Sequence, residues 1–169
     1  MTLYRIFLRL LPAIFVAGIT LSPATAQDID LGSQVLEKAR LAVTQFQKRA
    51  AGRLDYSEQS IAVVEEMLAE ASLYRKQMSA ADEKALVELM GSYVLEVAHR
   101  QLGGSYKWHD GRSQPVLVVG QPKFSVAIMT FDKIRGRLSG DKADNIVFFF
   151  RGFVERVKSA KPGTNALYV

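Results

Sequence analysis

The side chains best suited to chemistry lie between positions 93 and 109. Glu96 and His99 are three residues apart, a spacing that puts both on one face of a helix. Helical bundles hold metals with such a pair when neighbouring helices add carboxylates. Glu88 on the same stripe, with Glu65, Glu66 or Glu70 upstream, is placed to try. A second copy of the pair is missing, however, and the only other histidine, His109, follows the helix-ending Gly103-Gly104. Ligand number and geometry decide such sites, so the expectation is a polar stripe, with no metal and no cofactor. The same region offers a second chemistry. A tight reversal at the two glycines would fold Tyr106, Trp108 and His109 back beside Tyr93, Glu96 and His99. A carboxylate among aromatics suits a pocket for a polar ligand, or a general acid. The competing role for Tyr93 and Trp108 is packing, with their polar atoms satisfied nearby. These six residues are the candidate ligand-binding positions.

Other chemistries are excluded or unsupported. There is no cysteine, which rules out disulfides, thiolate metal sites and thiol nucleophiles. No G-x-S-x-G elbow is present, and Gly103-Gly104 lacks the lysine and spacing of a phosphate loop. The formal charge is +5. Setting aside Arg5 and Arg9, for the reason given next, leaves 20 basic residues against 17 acidic, or +3, with no clustered basic run. A nucleic-acid footprint needs such a cluster, so no nucleic-acid partner is expected.

Arg5 and Arg9 precede an apolar run from Leu10 to Leu21, and Ala24 and Ala26 then occupy A-x-A positions. This is the layout of a secretory signal peptide over residues 1–26, cut before Gln27. The run is shorter than the roughly 20 apolar residues of a membrane span, and no later segment is long and apolar enough for one. The expectation is an exported chain, periplasmic or secreted, with residues 27–169 forming a single domain that relies on its core alone.

The positioning elements are read from periodicity. Gln27 to Gly32 is expected to be a loose start. A first helix begins near Ser33, with Leu36, Ala39, Val43, Phe46 and Ala50 on its apolar face and Gly52 at its close. Ser57 caps a second helix with Ile61, Val64, Leu68 and Ala71 inward and Glu65, Glu66 and Glu70 outward. Ser79 and Asp82 start the third, where Leu86, Leu89, Met90, Tyr93 and Val97 centre an unusually wide apolar arc. Only Glu88, Ser92, Glu96 and His99 interrupt that arc, so the helix is expected to be covered on more than one side. Its interior Gly91 points to close approach of another element. Beyond Gly104 the period changes to two, with strands at Tyr106–His109, Pro115–Val119 and Phe124–Phe131. Asp132–Gly140 is ambiguous. A fourth helix runs from about Asp141 to Ala160, leaving Phe148 off its buried arc as a candidate partner-binding residue, and Asn165–Val169 either adds an edge strand or frays. The expected class is α+β, with about four helices on one face of a small antiparallel sheet of three to four strands.

Three strings occur in order: Leu54-Asp55-Tyr56-Ser57 with Ser60, Gly91-Ser92-Tyr93-Val94-Leu95-Glu96, and Gly103-Gly104-Ser105-Tyr106-Lys107-Trp108. Together they resemble a bacterial family of small, often exported domains of unknown function, number 3806, over roughly Leu54 to Val157. Leu95 stands where the family pattern carries glycine. The resemblance implies no activity. The chain therefore reads as a non-enzymatic binding or interaction module for an envelope component or a small polar ligand. The alternatives are an envelope hydrolase or transferase using Glu96 as acid or base with His99 or His109 assisting, and a structural partner docking through Phe148 and the C-terminal edge.

Overall fold

The fold is organised by α3 (Ala80–Leu102), and the computed structural model describes it within residues 26–169. Ser79 caps this helix as expected, its Oγ accepting the Asp82 N–H at 3.1 Å and donating to the Asp82 carboxylate at 2.7 Å. At the far end Gly103 adopts φ 68°, and its N–H closes the helix on the His99 carbonyl. From Met90 to Ala98 every residue is buried, the polar Ser92 and Glu96 included. The wide apolar arc therefore reports a helix covered all round.

The cover comes from α1 (Ala26–Phe46), α4 (Phe131–Leu138) and one face of the sheet, with α2 (Ser60–Ser72) packing on α4 and α5 (Ile146–Ser159) and reaching α3 through the Ser60–Tyr93 bond. Ala39 and Ala42, both fully buried, let α1 lie close against α3. The start of α1 differs from the expectation: Gln27 to Gly32 is helical and Ser33 lies mid-helix. Leu31 packs on the core there, which gives the extra turn a reason to form. The signal-peptide expectation concerns residues 1–26, of which 1–25 lie outside the described residues. The α2 helix begins at Ser60, after a turn in which Ser57 accepts the Ser60 N–H and hydroxyl.

Among the described residues there are five helices and four strands: β1 (Ser105–His109), β2 (Gln114–Val119), β3 (Ser125–Ile128) and β4 (Asn165–Tyr168), in the order β1-β2-β3-β4. The first three form the antiparallel meander expected, with Tyr106 opposite Leu117 and Val118 opposite Ala127. The expected purely antiparallel sheet needs correcting, because β4 pairs parallel to β3, with Val126 opposite Ala166. The connection between them holds α4 and α5, long enough to return the chain to the end at which β3 began. The five helices are close to the expected count of about four. The ambiguous stretch is α4, which buries Phe131, Ile134 and Leu138 at helical spacing. The last helix starts five residues later than expected because Asn145, not Asp141, caps it, accepting the Phe148 N–H at 2.8 Å.

Leu117, Val119, Val126 and Ile128 join the helices in the main core, while Val116, Val118, Ala127 and Met129 form a second cluster on the opposite face of the sheet. Gly91 is where α3 meets α4. A Cβ there would lie 2.4 Å from the Phe131 ring, and the Thr130 hydroxyl donates to the Gly91 carbonyl at 2.8 Å. Among the described residues, no helix is long and apolar enough to cross a membrane.

Candidate functional site

Five polar side chains of α3 form a ladder, Lys84, Glu88, Ser92, Glu96 and Arg100, each four residues from the next. Because α1 and β1 lie over this stripe, the ladder is half hidden, and its two ends become two different environments.

At the C-terminal end, Glu96 is buried and already engaged. It accepts from Arg100 Nε at 2.7 Å and from the Tyr106 hydroxyl at 3.2 Å. His99 lies beside it, Nδ1 3.9 Å from the carboxylate and its ring against Tyr106. Arg100 lies 3.6 Å above the Tyr56 ring, which stacks on Tyr93. The Tyr93 hydroxyl donates to Ser60 Oγ at 2.7 Å and accepts the Tyr56 N–H at 2.9 Å. Burial above all, and then the Glu96 charge, pushes the Tyr106 phenol far above its ordinary range. Burial likewise raises Tyr93. Both phenols therefore stay neutral donors. Glu96, His99 and Tyr106 thus lie together, and Tyr93 joins them through Tyr56 and Arg100, but the polar atoms of Tyr93, Glu96 and Tyr106 are spent on protein partners rather than lining an open pocket.

Trp108 and His109 go elsewhere. Trp108 keeps the Tyr106 face of β1 but lies two residues further along, opposite Pro115, while alternation turns His109 to the other face, opposite Gln114. Trp108 is 48% exposed and lines a cavity of about 440 Å³ at the N-terminal end of the ladder. Volumes of this size are typical of small-molecule sites. Three regions build it. The first half of α3 supplies Val87, Glu88 and Ser92, and α1 supplies Leu31, Val35 and Lys38. The β1–β2 hairpin and the start of α4 supply Trp108, Pro115, Phe131 and Arg135.

Ser92 is the distinctive member of this lining. Its side chain is fully buried, and its Oγ has no hydrogen-bond partner. A buried polar atom without a partner loses its water and gains nothing in return, at about 1–3 kcal/mol. Such atoms are uncommon in folded proteins, and each asks for a reason. The charged residues around it are mostly paired. Lys38 bonds Glu88 at 2.7 Å, tying α1 to α3, and Lys84 stands 3.9 Å from the same carboxylate. Glu83 is held by Arg75 through two bonds, which keep its carboxyl below the ordinary range. Arg135 bonds Asp132, which also accepts from Arg112 at 2.9 Å and Gln114 at 2.8 Å. Burial alone would raise Asp132, but the bonds from Arg112 and Arg135 overcome it and leave the carboxyl below its ordinary value.

The carboxylates considered for a metal each have another partner: Glu88 with Lys38, Glu66 with Arg53, Glu70 with Arg49, and Glu65 with Arg137. No group of three potential ligands assembles among the described residues. Phe148 stands 80% exposed at the start of α5, off the buried arc as expected.

Periodicity places Ser92 and Glu88 on a polar stripe without assigning them to a site, and nothing in it singles out Lys38, Val35 or Arg135. The four-residue ladder was the available signal. What it lacked was the position of α1 and α4 over the stripe. No family model, no curated protein and no solved structure matches this chain.

Proposed function

We propose that this chain is an exported binding module that takes a small amphipathic ligand in the cavity between α1, α3 and the β1–β2 hairpin. The observation that carries the reading is the Ser92 hydroxyl, fully buried and unpartnered in the wall of a 440 Å³ cavity that also displays Trp108. A ligand oxygen or N–H would satisfy that hydroxyl, and the aromatic and aliphatic walls would take an apolar body. The rival reading, acid or base catalysis by Glu96, finds less support. A group that moves protons at a substrate needs to reach one, and Glu96 is buried against Arg100 and Tyr106.

The kinship with family 3806 is part of this proposal. In its favour, the three strings that carry it meet in space: Ser60 and Tyr56 bond Tyr93, and Glu96 bonds Tyr106. Export rests on the leader, and N-terminal sequencing of chain recovered outside the cytoplasm tests it. A start at Gln27 is expected, and chain retained in the cytoplasm with Met1 intact overturns it.

Binding is tested with a fragment library. Trp108 is the only tryptophan of the chain, so its emission reports the cavity directly. Fragments that shift it in the native chain should fail with Ser92→Val, which fills the wall and removes the hydroxyl, and should bind Glu96→Gln normally. Melting curves establish that each variant is folded. Binders indifferent to Ser92→Val sink the cavity reading. Loss of binding or of cellular function in a normally melting Glu96→Gln protein favours the catalytic alternative.

A further inference from the structure

The mouth of the same cavity carries more positive than negative charge, and this bears on what enters. Lys84 shares the Glu88 carboxylate with Lys38, which holds it at the shorter distance, 2.7 Å against 3.9 Å. Arg135 shares Asp132 with Arg112 and with the Gln114 amide. At each place one carboxylate serves two cations, so one positive charge per pair is left over. Of these four cations Lys38, Lys84 and Arg135 line the cavity; Lys84 is the more distant from its carboxylate, and Arg135 shares Asp132 with Arg112, so Lys84 and Arg135, 78% and 53% exposed, are the cations an incoming anion meets. Glu83, the other acid in the lining, is neutralised by Arg75. The apolar part of the lining is Leu31, Val35, Val87, Trp108, Pro115 and Phe131, and Ser92 is its fully buried polar residue.

Resting on the binding reading above, we infer that the ligand is a monoanion with an apolar body, a carboxylate of the arylalkyl or alkyl type. Its charge meets Lys84 and Arg135 at the rim, and its body lies against Trp108 and Phe131. Two cations facing one carboxylate form charge-assisted bonds, roughly twice as strong as neutral ones. An amine of the same shape would meet like charge, and complementarity of this kind chiefly sets selectivity.

A matched series tests it: 4-phenylbutyrate, 4-phenylbutanol and 4-phenylbutylamine, titrated into the mature chain while Trp108 emission is followed. The carboxylate should bind about tenfold more tightly than the alcohol and more tightly still than the amine. The preference should weaken at high salt and largely disappear in the Lys84→Gln, Arg135→Gln double variant. The Arg156→Gln, Lys158→Gln double variant removes two exposed cations of α5 that do not line the cavity, and it should keep most of the preference. If that variant erased it equally, the effect would be one of overall charge and the inference would fail. It fails as well if the alcohol or amine binds as tightly as the carboxylate, or if none of the three shifts Trp108 emission. The binding reading stands or falls separately, on whether fragments of any charge distinguish Ser92→Val from the native chain.

Discussion

The Tyr106 hydroxyl donates to Glu96 Oε2 at 3.2 Å, linking β1 to the central helix across a two-glycine turn. Tyr106→Phe would leave the buried carboxylate with Arg100 alone. A hydrogen bond to a charged group contributes about 1.5–3 kcal/mol, and a loss near the lower figure is expected because Arg100 remains. The same variant should change the alkaline limb of stability. The folded phenol titrates above its ordinary value of 10.0. Its contribution is therefore complete below pH 10 and is lost as pH rises toward the folded value. Denaturant melts at pH 9 and pH 11 should show a smaller drop for Tyr106→Phe than for the native chain. Tyr93 and Tyr56, both raised mainly by burial, account for the remainder.

Gly91→Ala sets two effects against each other. Alanine in a helix interior gains about 1 kcal/mol over glycine. Here its Cβ would fall 2.4 Å from the Phe131 ring and 3.2 Å from Thr130 Oγ1. Overpacking of a filled core costs about 1–3 kcal/mol, and the ring is held by its own buried contacts. A net loss is expected, seen as a lower urea midpoint with an unchanged slope. A gain in stability would mean that Phe131 is free to move aside.

Glu65 joins three elements at one carboxylate. It accepts from Arg137 of α4 at 2.6 Å and from the Ile146 N–H that opens α5 at 2.9 Å, and both charged side chains are nearly buried, at 15% and 12% exposure. Glu65→Ala strands the guanidinium and leaves the Ile146 N–H without its acceptor, while the Asn145 cap of α5 stays. Breaking one side of a buried pair costs about 3–5 kcal/mol. A double-mutant cycle with Arg137→Ala should then show positive coupling of at least about 1 kcal/mol. Strict additivity of the two losses would refute the linkage.

Glu65 also shows where periodicity stops being informative. The sequence places it with Glu66 and Glu70 on a wet face, and the assignment holds for those two, which are half exposed. It fails for Glu65 because α4 and α5 come back over that edge, a fact held in residues seventy positions away. The direction of β4 was hidden for the same reason: alternation marks a strand, while its neighbour and sense depend on the path between. α3 was legible because one helix carries its own pattern, including cap, stop and interior glycine. Of the site, the Glu96–Tyr106 pairing was within reach of local reasoning, ten residues apart around a turn. The cavity was not, since α1 contributes Lys38 and Val35 from fifty residues earlier and α4 contributes Phe131 and Arg135 from forty later.

Asp132 predicts the acid limb. Its folded carboxyl sits below the ordinary value of 3.8, held there by Arg112 and Arg135 against the opposing effect of burial. A lowered value contributes stability above the unfolded pKa, and that contribution is lost as pH falls through the folded one. Between pH 5 and pH 2, Asp132→Asn should lose less stability than the native chain. The effect should be small, because the site is partly exposed and solvent screens it. Equal slopes in that range would place the acid sensitivity in other carboxylates.

Ser92→Ala separates a binding group from a structural one. Among the described residues the Ser92 hydroxyl has no protein partner, so the folded chain bears its desolvation without return. Removing the oxygen deletes that cost, and alanine is the better helix former. Stability should therefore rise, by about 1 kcal/mol after allowance for the small void left. A hydroxyl held only by packing would give the opposite sign, since its removal would forfeit contacts. The same variant should bind cavity ligands more weakly while Trp108 emission in the free protein stays unchanged. Greater stability with weaker binding is the trade expected of a functional position, and a destabilised Ser92→Ala protein with intact binding would show that the hydroxyl serves the fold.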